Sequence, residues 1–89
     1  MSTVPTGSTV DSPFVMYSTP WCGYCRRLKG TLNREGIVFD EVDIEADPAA
    51  ADTVMRLNEG NATVPTLVFR DGTSMTNPTP AQVKEKLAA

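Results

Sequence analysis

The sequence has no histidine. That absence removes cysteine–histidine proteases, serine–histidine hydrolases and most zinc enzymes together, because each needs an imidazole as base or ligand. Cysteine is nearly as scarce, with Cys22 and Cys25 the only two. A structural disulfide stabilises most when it closes a long loop. This pair closes almost nothing, so it is a poor staple and better suited to opening and closing. Basic residues are few: 8 Lys and Arg against 11 Asp and Glu leave a net charge of −3. A nucleic-acid surface would need clustered Lys and Arg, so none is expected. No apolar run approaches the length of a transmembrane helix, and no membrane partner is expected. The opening residues, Met1 to Gly7, lack the basic head and apolar stretch of a signal peptide. The expected compartment is therefore the cytoplasm, where thiols are kept reduced.

What is present reads as one small domain. The 89 residues are 40% hydrophobic, enough for a thin core without staples. Residues 1–12 are rich in Ser, Thr, Pro and Gly and read as a flexible tail, leaving residues 13–89 as the domain. It is expected to be a monomer.

A short apolar run over 14–17 predicts a strand. A loop over 18–21 follows, with Pro20 ending that strand. Cys25, Leu28 and Leu32 then recur at helical spacing from Cys22 onward. Gly36 is the stop signal of this helix. Gly30 lowers its propensity, and its bare backbone would permit close packing there. A second strand is expected from Ile37-Val38-Phe39 to Val42-Asp43-Ile44. Asp47 and Pro48 then form the cap and first position of a second helix. Ala50, Val54 and Leu57 form its buried stripe and Gly60 closes it. Residues 66–69 predict a third strand, Asp71-Gly72 a hairpin turn, and residues 73–75 the returning strand. Thr79 and Gln82 have the spacing of a capping box, opening a last helix with Val83 and Leu87 inward. The order is β-α-β-α-β-β-α. A β-α-β unit needs a crossover and so pairs its strands in parallel, while the hairpin makes the sheet mixed. The fold class is α/β, a minimal thioredoxin fold with a four-stranded mixed sheet.

Cys22-Gly23-Tyr24-Cys25 carries the chemistry. Two thiols three residues apart suit a helix start, where free N–H groups and the helix dipole stabilise a thiolate on the first. Such motifs lower the first thiol's pKa below the free value of about 8.5, which also makes it a better leaving group. Arg26 and Arg27 add positive charge nearby, offset by their position at the dipole's positive end. A zinc knuckle would need about four ligands. Two cysteines, no histidine and carboxylates without ligand spacing do not supply them, so no metal site is expected. Inert buried thiols are the other bland reading; the place of the pair between a strand and a helix favours the redox one.

Thr63-Val64-Pro65 is the second constellation. Pro65 stands just before a strand, where proline removes a ladder donor. A cis bond there would offer the Val64 backbone to an extended substrate, whereas a lone loop proline is more often trans. Trp21 directly precedes the first cysteine. It reads equally as a rim-covering aromatic and as a flat platform for a ligand.

Taken together, Cys22-Gly23-Tyr24-Cys25 after a strand, Thr63-Val64-Pro65 before another and the Asp71-Gly72 hairpin resemble a glutaredoxin over residues 14–88. Trp21, the Asp40-to-Ile44 segment, Asn61 with Thr63-Val64-Pro65, and Asp71-Gly72-Thr73 with Thr76-Asn77-Pro78 most resemble the mycoredoxins, actinobacterial members that use mycothiol. Glutathione-using relatives carry a basic residue where Thr19 stands. They also carry a Gly-Gly-acid segment where this chain reads Thr76-Asn77-Pro78-Thr79-Pro80. A zwitterionic tripeptide would lose two charge-assisted contacts here; an uncharged pseudodisaccharide thiol would not.

The resemblance implies a disulfide oxidoreductase with Cys22 as attacking thiolate and Cys25 for dithiol exchange or protection. It implies a binding surface of Trp21, Tyr24, Thr63, Val64, Pro65, Thr76 and Asn77. No cofactor is expected to be tightly bound; mycothiol would be co-substrate, and mycothiolated proteins the clients. Electrons would arrive through a mycothione reductase. A dithiol reductase fed by thioredoxin reductase is the first alternative, and a carrier of a bridging iron–sulfur cluster the second.

Overall fold

A computed structural model describes residues 12–88. The elements run β1 (Phe14–Ser18), α1 (Gly23–Arg34), β2 (Asp40–Asp43), α2 (Pro48–Leu57), β3 (Thr66–Phe69), β4 (Ser74–Thr76) and α3 (Pro80–Ala88). The element order is the one the sequence predicts. The four strands form one sheet in the order β2-β1-β3-β4. β1 pairs with β2 in parallel and with β3 antiparallel, and β4 continues antiparallel from β3. This α/β arrangement is the minimal thioredoxin fold.

Alternation along β1 divides the core. Phe14 and Met16 lie opposite Phe69 and Leu67 in the antiparallel register. Together they form the main cluster with Leu28 and Leu32 of α1 and Val83 of α3. Phe14 stacks on Phe39 at 5.3 Å between ring centroids and meets Phe69 at 5.2 Å. Tyr17 turns the other way and packs with Val42, Ile44, Val54 and Ala50 under α2. Each fully buried large side chain contributes about 1.5–3 kcal/mol through loss of water contact.

Local chemistry sets the helix ends. α1 stops in a Schellman arrangement: Ile37 N–H donates to Leu32 O at 3.0 Å, and Gly36 N–H to Asn33 O at 3.1 Å. Gly36 takes the left-handed φ of 76° that this motif requires. Asp47 caps α2 by accepting from Ala49 N–H at 3.1 Å and Ala50 N–H at 3.4 Å. The capping box of α3 forms as expected: Gln82 N–H donates to Thr79 Oγ1 at 3.1 Å, and Thr79 N–H donates to Gln82 Oε1 at 2.8 Å.

Four expectations are corrected. β2 begins at Asp40; Ile37 lies in the exit from α1, and Ile37 and Phe39 pack against the main cluster from outside the sheet. Leu57 is 42% exposed and no part of the α2 stripe: it is the last residue of the helix, and the next residue, Asn58, is the one whose side chain reaches β3 and β4. The returning strand runs Ser74–Thr76, one residue later than expected, because Thr73 is held in the turn by Asp71; Gly60 closes α2 as expected, donating to Met55 O at 2.7 Å. A side chain at Gly30 would meet only the Arg34 guanidinium, at 3.7 Å, so no close packing explains that glycine. The tail expected over 1–12 lies outside the described residues except at Ser12. Ser12 is buried, and its carbonyl accepts from the Arg70 guanidinium at 3.4 Å. Among the described residues no helix is long and apolar enough to cross a membrane.

Candidate active site

Cys22 is the N-cap of α1. Its sulfur takes the place of a Ser or Thr oxygen, accepting the Cys25 N–H at 3.0 Å. The residue keeps extended backbone angles and Gly23 begins the helix. Helix geometry then brings Cys25 back beside it, with 5.2 Å between the two Cα atoms, and the two sulfurs are joined in a disulfide. Cys25 is 1% exposed and Cys22 5%. Once the disulfide is reduced, the N–H that caps the helix faces the Cys22 sulfur, as does the positive end of the helix dipole. Both favour a thiolate there over a thiol. Cys25, one turn in, sits against Leu28 and Leu32 on the buried face.

Thr63, Val64 and Pro65 form the opposite wall. The Val64–Pro65 peptide bond is cis. The Val64 carbonyl oxygen lies 4.0 Å from the Cys22 sulfur, while the Val64 side chain packs into the α2 cluster. The backbone of Val64, not its side chain, is what this wall offers beside the cysteine. Pro65 O accepts from Asn77 N–H at 2.7 Å, placing the β4–α3 turn next to the wall. Asn77 adopts a left-handed φ of 51° there. Thr76 and Asn77 are exposed.

Trp21 and Tyr24 flank the pair on the solvent side. Trp21 is 67% exposed, and its indole N–H donates to Glu45 Oε2 at 2.7 Å. The Arg27 guanidinium sits 5.0 Å from the Tyr24 ring centre, a cation–π contact. A groove of about 390 Å³ runs from Tyr24 between α1 and the β4–α3 turn. It is lined by Arg27, Leu28 and Thr31 on one side and by Asn77, Pro78, Thr79 and Pro80 on the other. No carboxylate lines it.

The structure places Val64 beside Cys22, Asn77 against Pro65 and Tyr24 in one groove with Asn77; Trp21, next to Cys22 in the chain, turns instead toward Glu45. Others became visible only in three dimensions. Asn58 ties the walls together: its amide donates to Val54 O at 2.9 Å and Thr66 Oγ1 at 3.2 Å, and it accepts from the Thr76 hydroxyl at 2.6 Å. Thr66 is wholly buried and donates to Thr63 O at 2.8 Å, so the chain reaches the Val64 wall itself. Beneath Cys25 is a second cavity, of about 310 Å³, bordered by Ser18, Thr19, Arg26, Lys29 and Glu41. Glu41 accepts from Ser18 Oγ at 2.8 Å and from Lys29 Nζ at 3.0 Å, linking β1, β2 and α1 there. Thr19 is buried in this loop. Asn58 sits in a segment with no motif and Glu41 within the Asp40-to-Ile44 segment that carries the resemblance; only their distant partners reveal what each holds together. Among the described residues no cluster of three or more His, Cys, Asp or Glu could hold a metal.

A family model described as Glutaredoxin matches residues 14–74. A protein of Mycobacterium tuberculosis strain H37Rv named as a glutaredoxin is 50% identical over 78 residues, covering 88% of this chain and 93% of the other. Mycoredoxin 1 of Corynebacterium glutamicum is 41% identical over 78 residues, covering 88% of this chain and 96% of that protein. Among solved structures, the glutaredoxin of Methanosarcina mazei Go1 superposes with a TM-score of 0.73 at 23% identity, covering 88% of this chain and 80% of its own. That likeness concerns the fold.

Proposed function

This chain belongs to the glutaredoxin family of thiol–disulfide oxidoreductases, and from that premise we propose that it reduces protein–mycothiol mixed disulfides by a monothiol route. In the first step the Cys22 thiolate attacks the mycothiol sulfur of the mixed disulfide. The client's thiolate leaves and takes a proton, and Cys22 is left disulfide-bonded to mycothiol. A second mycothiol, as thiolate, attacks the mycothiol sulfur of that adduct. The products are oxidised mycothiol disulfide and free Cys22. One protein–mycothiol disulfide and one free mycothiol thus become one protein thiol and one mycothiol disulfide, and an NADPH-dependent mycothione reductase supplies the two electrons that return this disulfide to two mycothiols. The low pKa expected of a helix-capping thiolate serves both steps, as nucleophile in the first and leaving group in the second.

The observation that carries this reading is the lining of the groove that opens at Tyr24, two residues from Cys22. The groove has the Tyr24 ring, the Arg27 guanidinium, Leu28, and hydroxyl, amide and proline surfaces, and no carboxylate, so the ammonium of glutathione would find no charge partner on that wall. A neutral sugar–cyclitol thiol needs none. The name of the 41% identical relative, Mycoredoxin 1, points the same way. Tyr24, Thr76 and Asn77 would border the ligand, Trp21 would offer it a flat face, and the backbone at Thr63, Val64 and Pro65 would carry the client strand.

The test is NADPH consumption on a mycothiolated protein, coupled through mycothiol and mycothione reductase, beside a glutathione arm with glutathione reductase. Turnover with mycothiol well above that with glutathione is expected. Equal turnover, or preference for glutathione, overturns the proposal. The disulfide joining Cys22 to the buried Cys25 favours a second reading, dithiol exchange fed by thioredoxin reductase, which the substitutions below separate from the first.

A further inference from the structure

We infer that Glu45 is a positioning residue that holds the Trp21 indole as a fixed platform for the ring of a sugar or cyclitol. Trp21 is the only tryptophan in the chain and presents two-thirds of its surface to solvent. A large aromatic left so exposed gains little from burial and keeps its rotamer freedom unless something else restrains it. Here the restraint is a charge-assisted hydrogen bond, the indole N–H to Glu45 Oε2 at 2.7 Å.

The acceptor is itself anchored. Glu45 N–H donates to Asp43 Oδ1 at 2.9 Å, and Ala46 N–H to Asp43 O at 3.1 Å, closing a tight turn after β2. That turn is pinned to the sheet by Ile44, which is buried and donates to Ser18 O at 3.0 Å. Trp21 is held from the other side, because Cys22 N–H donates to Thr19 O at 3.3 Å in the same loop. The contact spans 24 residues of sequence and joins the β2–α2 turn to the residue preceding the attacking cysteine.

The bond engages the one polar atom of the indole and leaves its faces to other contacts. An aromatic face with its polar tip already satisfied is open to the C–H face of a saturated ring. A platform fixed before binding spares the ligand the entropy of ordering it. The inference rests on the mycothiol reading above and adds the residue that sets the platform.

The experiment compares wild type, Glu45→Ala and Glu45→Gln. Trp21 fluorescence anisotropy is read without ligand, and kcat and KM for mycothiol are read in the coupled assay. Glu45→Ala should lower the anisotropy and raise KM about three- to tenfold at unchanged kcat. Glu45→Gln keeps an acceptor oxygen and should restore both. Unchanged anisotropy in Glu45→Ala overturns the inference, as does a freed indole with unchanged KM. A parallel fall of kcat in both variants also overturns it, by showing a general structural role. Because the anisotropy needs no ligand, loss of mycothiol preference in the wild type would sink the proposed function without being mistaken for failure of the Glu45 contact.

Discussion

The hydroxyl of Thr76 donates a 2.6 Å hydrogen bond to the side-chain oxygen of Asn58, joining the last turn of α2 to the end of β4 across the rim of the site. Through Thr66 the same amide reaches the carbonyl of Thr63. Asn58→Ala leaves partners that were satisfied by protein without their mate, some of them out of reach of water. It should lower stability by about 1–3 kcal/mol, read from the urea midpoint. Asn58→Asp keeps the acceptor for Thr76 but loses both donations, so it should fall between. A midpoint unchanged in both variants would remove Asn58 as the tie between the walls.

Substitution of each cysteine separates the two redox routes. The monothiol cycle uses one protein sulfur, so Cys22→Ser should lower mycothiol-coupled turnover by at least about a hundredfold. Cys25→Ser should keep most of it, and can exceed wild type because the competing 22–25 disulfide no longer forms. Mass spectrometry of Cys25→Ser should show a Cys22–mycothiol adduct. Equal loss in the two variants would replace the monothiol route by dithiol exchange, with fold and nucleophile unaltered.

Acid should weaken one tertiary contact selectively. The Asp71 carboxyl accepts from Lys86 Nζ at 2.7 Å and from the hydroxyl and N–H of Thr73. These bonds, that from Lys86 first, hold its pKa well below the usual carboxylate range. A depressed folded-state pKa contributes stability that is fully present above the unfolded value of about 3.9 and is lost as pH falls toward the folded one. The Tm difference between wild type and Asp71→Asn should therefore stay constant from neutral pH down to about pH 5 and shrink below about 3.9. A difference that grows in acid would contradict this assignment. The group is exposed, so the effect should also diminish in high salt.

Gly30 lies in the interior of α1, and the space a methyl group would fill there is open. Gly30→Ala should therefore raise stability by about 0.5–1 kcal/mol, because alanine loses less backbone freedom on entering a helix. Thermal unfolding gives the sign directly. A lower Tm would mean that the missing side chain serves a contact absent from this fold.

Much of this molecule is legible in one dimension because its signals are local. Asp47-Pro48, Thr79 with Gln82, and Gly36 mark helix ends through bonds to neighbours within a turn. Cys22 and Cys25 meet because helix geometry carries residue i+3 back beside i, whatever the rest of the fold does. The crossover between β1 and β2 follows from the chain having to return in parallel, and the Asp71-Gly72 turn from the φ that glycine allows. Tertiary structure decided what depends on partners distant in sequence. Ile37 and Phe39 are as strand-like as Val42, yet the chain leaving α1 reaches the edge of β1 only at Asp40. Leu57 keeps the period of Ala50 and Val54, yet it is left exposed at the end of α2 while Asn58 makes the contacts to β3 and β4. Asn58 lies 8 residues from Thr66 and 18 from Thr76, and Glu45 lies 24 from Trp21. A side chain's hydrogen-bonding capacity is written in the sequence, but its partner is chosen by where sheet and helices bring the backbone, and packing settles that for the whole chain at once.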